Sequence, residues 1–143
     1  MLRGISNLLS PALINVLMEM GHGDELLIAD GNYPMFGCPN RILRYDGHGT
    51  LSVLKAIIPY FPLDTYVDHP TILMAVVPGD PTIPEIWDEY RIAINNFEKD
   101  GARELIIDKY EFYDRGKKAY AAIKTSDIRL YANIILKKGV IVD

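Results

Sequence analysis

Met20-Gly21-His22-Gly23-Asp24-Glu25-Leu26-Leu27-Ile28-Ala29-Asp30-Gly31-Asn32-Tyr33-Pro34 carries the end of a helix, a buried strand and a carboxylate at that strand's far end. Leu26, Leu27, Ile28 and Ala29 run without polar alternation, as in a parallel strand covered on both faces. Gly21 and Gly23 bracket His22 in the turn before the strand, and Asp30 leaves after it. Read blandly, these are a glycine helix stop, a solvated loop histidine and a strand-end aspartate. Read as chemistry, one strand carries a proton-transfer group before it and a carboxylate after it.

Upstream, Ser10-Pro11 predicts an N-cap and a first helical residue, and Leu13, Val16, Leu17 and Met20 recur at helical spacing until Gly21. Downstream, Gly31 to Asn40 holds four Gly/Pro residues and reads as a loop. Arg41 to Arg44 is a short strand, and Asp46-Gly47-His48-Gly49 a turn. Val53, Leu54, Ile57, Ile58 and Phe61 predict a second helix, capped by Thr50 or Ser52 and ended near Pro59 or Pro62. Leu63 to Tyr66 is extended, and Thr71 to Val77 is a buried strand near the sheet centre, closed by Pro78-Gly79.

Thr82 and Glu85 stand at capping-box spacing before a third helix striped by Ile83, Ile86, Trp87, Tyr90, Ile94 and Phe97 and followed by Gly101. Then come a strand at Leu105–Ile107, a helix over Glu111–Lys118, and strands over Tyr120–Thr125 and Asn133–Lys137. This alternation predicts one α/β domain over residues 1–143, with a mainly parallel sheet of about six strands and helices on both faces. The two closest C-terminal strands are free to pair differently. In such sheets the ligand crevice lies at the carboxyl ends of the strands, where the loop after Asp30 emerges.

The 143 residues, 49% hydrophobic and 24% charged, suffice for one full core. A net charge of -4 with dispersed Lys and Arg disfavours nucleic acid as a partner. Cys38 is the only cysteine, which excludes an intrachain disulfide and fits a reducing cytoplasm. Neither a leader-like N-terminus nor an apolar run of membrane-spanning length is present, so a soluble cytoplasmic protein is expected.

His22, His48 and His69 with Asp24, Asp30, Asp46 and Asp68 show no metal-ligand spacing, so no metal is expected. Asp46-Gly47-His48 and Asp68-His69-Pro70 fit turns. Gly21-x-Gly23 lacks the rest of a dinucleotide or phosphate-loop motif and precedes its strand. There is no Gly-x-Ser-x-Gly elbow, and Cys38 has no adjacent base. Acid/base chemistry without a cofactor remains. Lys109 to Ala119 and Tyr131-Ala132-Asn133 supply polar and aromatic groups able to face a ligand by stacking and hydrogen bonding, although such aromatics usually belong to a core and Lys117-Lys118 to a solvated face.

Met20-Gly-His-Gly-Asp-Glu25 and Asp30-x-x-x-Pro34 resemble the signature of the fucose mutarotase and ribose pyranase family, enzymes that interconvert ring forms of free sugars. The resemblance spans nearly the whole chain. Phe112, Tyr113, Asp114, Arg115, Lys118 and Ala119 match the family's basic-Phe-x-Phe-Tyr-(Glu/Asp)-Arg-Ala-x-Lys-Ala segment, and Tyr131 to Leu136 with Lys137-Lys138-Gly139-Val140 match its closing segment. Arg44-x-Asp46-Gly47 and Leu63-Asp64-Thr65-Tyr66 match as well.

What the resemblance implies is a cofactor-free isomerase acting on a monosaccharide, L-fucose or a related aldose. His22 would deliver a proton to the ring oxygen and Tyr113 or Asp64 would assist. Asp30, Asp64, Lys109, Tyr131, Ala132 and Asn133 would hold the sugar. It also implies a homo-oligomer, a decameric ring. Ribose pyranase and a non-catalytic sugar-binding regulator remain the alternatives. Lys109 replaces the usual arginine and lacks its planar fork, Tyr45 replaces a small residue, and Gly116 replaces alanine.

Overall fold

In a computed structural model that describes residues 1–38 and 41–142, six strands form one sheet. They are β1 (Glu25–Ala29), β2 (Ile42–Tyr45), β3 (Thr71–Met74), β4 (Glu104–Ile107), β5 (Ala121–Thr125) and β6 (Ile134–Lys137), in the order β2-β5-β1-β6-β3-β4. Every pairing is parallel except those of β6, which runs antiparallel to β1 and β3. The mainly parallel α/β sheet expected from the alternation therefore forms. Only residues 126–133 separate β5 from β6, too short a link for a crossover that would bring β6 back parallel. As a result the N-terminal end of β6, not its C-terminal end, lies beside Asp30, with Ile134 paired to Ile28.

Successive residues of the central strands face opposite layers. Leu26, Ile28, Leu73, Ile123 and Ile134 pack toward α1 (Pro11–Glu19), α2 (Thr50–Ile57) and α3 (Ile86–Asn95). Leu27, Ala29, Ile72, Ala122 and Ile135 pack toward Phe112 of α4 (Lys109–Lys117) and toward Tyr33. Leu26 through Ala29 have no exposed surface, so the apolar run marks the most covered strand. Truncating one of these leucines to alanine costs about 2–5 kcal/mol. β3 lies inside the sheet but off its centre, which β1 and β6 share.

The helix ends correct several local expectations. Ser10 caps α1 through Oγ, accepting from Leu13 N–H at 3.1 Å. Gly21 does not stop this helix. Met20 turns extended, and the Lys138 ammonium donates to the carbonyls of Leu17 and Met20, both at 2.6 Å. Neither Thr50 nor Ser52 caps α2; Gly49 is the N-cap, and the Thr50 N–H donates to Asp127 at 2.9 Å. The helix passes into a 3₁₀ turn at Ile58–Tyr60 around Pro59.

Thr82 and Glu85 form no capping box, because the Thr82 N–H and hydroxyl both donate to Asp80. Ile83 and Phe97 are exposed, so the stripe of α3 is narrower than its sequence suggests. The ladder of β3 stops at Met74, short of Val77. Asp108 caps α4 by accepting from Tyr110 and Glu111 N–H, which moves the helix start forward to Lys109. Pro39 and Asn40, in the loop expected over 31–40, lie outside the described residues. Among the described residues no helix is long and apolar enough to cross a membrane.

Candidate functional site

Asp30 follows β1 into the crevice where β6 enters, and Asn133 comes with β6. Asn133 accepts the Asp30 N–H through Oδ1 and donates through Nδ2 to Asp30 Oδ2, both at 2.8 Å. The other carboxylate oxygen, Oδ1, accepts from Asn32 N–H at 2.8 Å. Burial pushes the Asp30 carboxyl up from its ordinary range, against the pull of Asn32, Asn133, Lys124 and the Tyr33 N–H. Among the described residues each oxygen accepts one amide N–H within hydrogen-bond distance, which leaves acceptor capacity on the carboxylate. The group is fixed, desolvated and short of donors.

Tyr131 stands two residues before Asn133, on the same side of the entering strand. Its backbone takes φ of +60°, an uncommon and strained value for an aromatic residue. The strain is held from three directions. Trp87 Nε1 donates to the Tyr131 carbonyl at 3.1 Å, Val77 N–H donates to the phenol oxygen at 3.2 Å, and the phenol donates to Asp80 Oδ2 at 2.6 Å. Val77 is where β3 was expected to end; its N–H has left the ladder for this contact.

Lys109, in the first turn of α4, and Tyr113, one turn on, close the other side. Tyr113 packs edge-on to Tyr33 at 5.2 Å between centroids. Burial and the nearby Asp30 raise the Tyr113 phenol above its ordinary pKa, so it carries its proton and can donate. Together these groups line a cavity of about 210 Å³, smaller than the roughly 300–1,000 Å³ that drug-sized ligands occupy. A larger groove of about 490 Å³ lies between the N-terminus, α1 and the C-terminal segment. Its lining is apolar apart from Lys138 and the Tyr60 hydroxyl, which are bonded to backbone carbonyls. It offers no acid/base pair.

His22 and Asp64 lie at the opposite end of the sheet from Asp30. The five residues of β1 separate the two ends, about 16 Å at the usual rise per residue. His22 Nε2 meets Asp64 Oδ1 at 3.1 Å, and a carboxylate only accepts, so Nε2 carries a proton and Nδ1 is left to act outward. The histidine side chain is 45% exposed while Asp64 is 3% exposed. Burial works to raise the Asp64 carboxyl, but Tyr66 N–H, His22 and Lys137 outweigh it and hold it below its ordinary range. Asp64 is pinned because its own N–H donates to the Lys137 carbonyl, and because a Cβ on Gly139 would lie 2.6 Å from the Leu63 carbonyl and 2.8 Å from Asp64 Cα. The exposed Tyr66 ring leans on His22 at 5.2 Å.

Of the residues expected to share one site, Asp30, Lys109, Tyr113, Tyr131 and Asn133 converge on the cavity. His22 and Asp64 form a second cluster. Ala132 is fully buried toward the helical layer of α1, α2 and α3, so strand alternation turns its side chain away from the cavity. Asp80, Val77, Asn32 and Trp87 belong to the site and carried no local signal; the unused capping-box spacing at Thr82 was the only hint that Asp80 competes for that threonine. The matched Arg115 is structural: it forks onto Glu25, with Nη2 at 2.8 Å from Oε1, and ties α4 to β1.

The arrangement provides hydrogen-bond acceptors (Asp30, Asp80), donors (Lys109, Tyr113) and, at the other edge, a carboxylate-held imidazole. Over residues 3–141 the chain matches the RbsD / FucU transport protein family. It is 40% identical over 140 residues to the L-fucose mutarotase of Actinobacillus pleuropneumoniae serotype 5b (strain L20), covering 98% of this chain and 97% of that protein. The fucose mutarotase from Streptococcus pneumoniae, solved in complex with L-fucose, is 47% identical and superposes with a TM-score of 0.93 over 99% of this chain and 100% of its own. FucU from Bifidobacterium longum is 45% identical, with a TM-score of 0.94 over 98% and 100%.

Proposed function

The chain belongs to the RbsD / FucU family, and on that premise we propose that it is an isomerase, an aldose mutarotase exchanging the α and β anomers of L-fucose. The observation that carries this reading is the small cavity around Asp30, where a desolvated carboxylate with acceptor capacity to spare shares the lining with Lys109 and Tyr113. A monosaccharide presents a ring of hydroxyls that both donate and accept, which suits that mixture. Asp30 accepts from sugar hydroxyls, Lys109 and Tyr113 donate to them, and Asn133 orients Asp30.

In ring opening the anomeric hydroxyl gives up its proton to a base as the bond between C1 and the ring oxygen breaks, and that oxygen takes a proton from an acid. The open aldehyde rotates about C1–C2, and attack of the hydroxyl on its other face restores both protons. His22 is the acid, presenting Nδ1 while Asp64 holds Nε2 and balances the imidazolium charge. No proton is consumed, so the cycle needs only groups of the protein.

Because about 16 Å of β1 separates His22 from the cavity of its own chain, we assign His22 to the cavity of a neighbouring copy. The protein then acts as a homo-oligomer, a closed decameric ring, working in the cytoplasm. Leu130, exposed on the cavity lining, supports an apolar contact there. NMR saturation transfer with L-fucose, D-ribose and D-galactose tests the reaction: exchange above the buffer rate is expected, fastest for fucose. His22→Gln should fold as the parent and lose roughly 10²-fold or more in rate. A parent without exchange on any of the three sugars defeats the enzyme reading, and an unimpaired His22→Gln defeats the assignment of the acid.

A further inference from the structure

The reaction above gives Asp80 no task, yet its carboxylate decides which way the Tyr131 hydroxyl points. Oδ1 accepts the Thr82 N–H at 2.9 Å and the Thr82 hydroxyl at 2.6 Å, while Oδ2 accepts the phenol proton at 2.6 Å. A phenol has one proton, and that proton is committed to a group that can only accept. Val77 N–H donates to the same phenol oxygen. What Tyr131 has left to offer the cavity is a lone pair.

We propose that Asp80 is a positioning residue that makes Tyr131 an obligate hydrogen-bond acceptor toward the ligand, so that the cavity selects a sugar hydroxyl able to donate at that point. This rests on the sugar-binding reading of the same cavity. A turn at Asp80–Thr82 needs only Oδ1, the usual backbone bond of an aspartate two residues on. The bond from Oδ2 to a residue 51 positions later is additional. It is also charge-assisted, hence stronger and more directional than a neutral pair.

The carboxyl is held below its ordinary range by the Thr82 hydroxyl first and then by Tyr131, so it remains an anion near neutral pH. The strained φ of Tyr131 and the Trp87 bond to its carbonyl show that the backbone of this residue is held as firmly as its hydroxyl. A phenol left free to rotate would donate or accept indifferently. With Asp80 in place, the acceptors at Asp30 and Tyr131 and the donors at Lys109 and Tyr113 form a fixed pattern that an epimeric or deoxygenated sugar fails to meet.

A double-mutant cycle on L-fucose binding tests this, using the parent, Asp80→Asn, Tyr131→Phe and the double variant. Each single change should weaken binding about 10-fold, and the double variant should lose no more than either alone, because Asp80 acts through the Tyr131 hydroxyl. In sugar-free protein labelled on tyrosine, the Tyr131 ¹³Cζ resonance should move toward the free-tyrosine value in Asp80→Asn. Losses that multiply to about 100-fold, or an unmoved resonance, overturn the proposal. If Asp80→Asn fails to fold, Thr82→Val replaces it, and a loss that persists in the Tyr131→Phe background counts against the proposal. A parent that binds none of fucose, ribose and galactose overturns the sugar reading and this proposal together. A parent that binds but gives an additive cycle overturns this proposal alone.

Discussion

Asp30 and Asp127 are buried carboxylates at the same edge of adjacent parallel strands, and the Asp127 carbonyl accepts the Gly31 N–H at 2.8 Å. Their surroundings differ. Asp127 receives Arg129 through Nε at 2.9 Å and Nη2 at 2.7 Å, and the Thr50 N–H and hydroxyl at 2.9 and 3.0 Å. Burial would raise its carboxyl, but these donors outweigh it and hold the group well below the carboxylate range. Among the described residues the Asp30 carboxylate accepts only from amides. Lys124, which attracts it electrostatically, commits its ammonium to the Tyr33 carbonyl at 2.6 Å. The carboxylate whose charge is fully compensated holds the fold together, joining β5 to the start of α2. The one left undercompensated keeps acceptor capacity for a ligand.

Asp127→Ala has the largest expected effect. It orphans the Thr50 N–H at a helix start and frees Arg129, and should cost about 2–4 kcal/mol in urea unfolding while leaving the sugar affinity of the folded protein near the parent's. The sign of the pH dependence follows from the lowered carboxyl. Its contribution is present above the unfolded value of about 3.9 and is lost as pH falls through the folded value. Parent and variant should therefore converge only in acid, and convergence near neutral pH would show that Asp127 is not a compensated ion.

Asp30→Ala should do the reverse. Sugar affinity should fall by about 1.5–3 kcal/mol in calorimetric titration, with stability changed by roughly 1 kcal/mol or less at pH 7. For this raised group the folding contribution is present below about pH 3.9 and lost as pH rises through the folded value. The variant should then gain on the parent as pH rises, opposite to Asp127→Ala. A large loss of stability with unchanged affinity would exchange the two roles.

The smallest effect concerns the wall beside Asp30. The Tyr33 hydroxyl is buried without a partner among the described residues and fills the space that a Cβ on Gly116 would take, with Leu27 Cδ2 3.2 Å from that Cβ position. Gly116→Ala should therefore cost about 1–2 kcal/mol by overpacking, and adding Tyr33→Phe should restore most of it, as read by thermal melting. An additive pair would mean that the hydroxyl does not occupy that space. The departure from the family's alanine at 116 thus has a steric account, which the sequence alone did not supply.

Much of the frame was legible because it depends on near neighbours in the chain. The apolar run Leu26–Ala29, the Ser10-Pro11 start of α1 and the α/β alternation follow from periodicity and capping, whose partners lie within a few residues. The start of α4 was missed because the local cap at Asp108 was not read, whereas the expected caps of α2 and α3 failed because a more distant or stronger acceptor won. Asp127 took Thr50 from 77 residues away, and Asp80 took Thr82 before it could cap α3.

The α/β alternation, the helices on both faces and the residue types available for proton transfer and sugar binding were readable from the sequence, since burial patterns and a near-complete family resemblance are properties of the chain. Only the tertiary structure decided that His22 and Asp30, eight positions apart, face opposite ends of a rigid strand, and that Tyr131, Asn133, Asp80 and Lys109 meet at one of them. An extended strand keeps its two ends apart whatever their chemistry, and it is the antiparallel entry of β6 that carries residues more than a hundred positions from Asp30 back to its side.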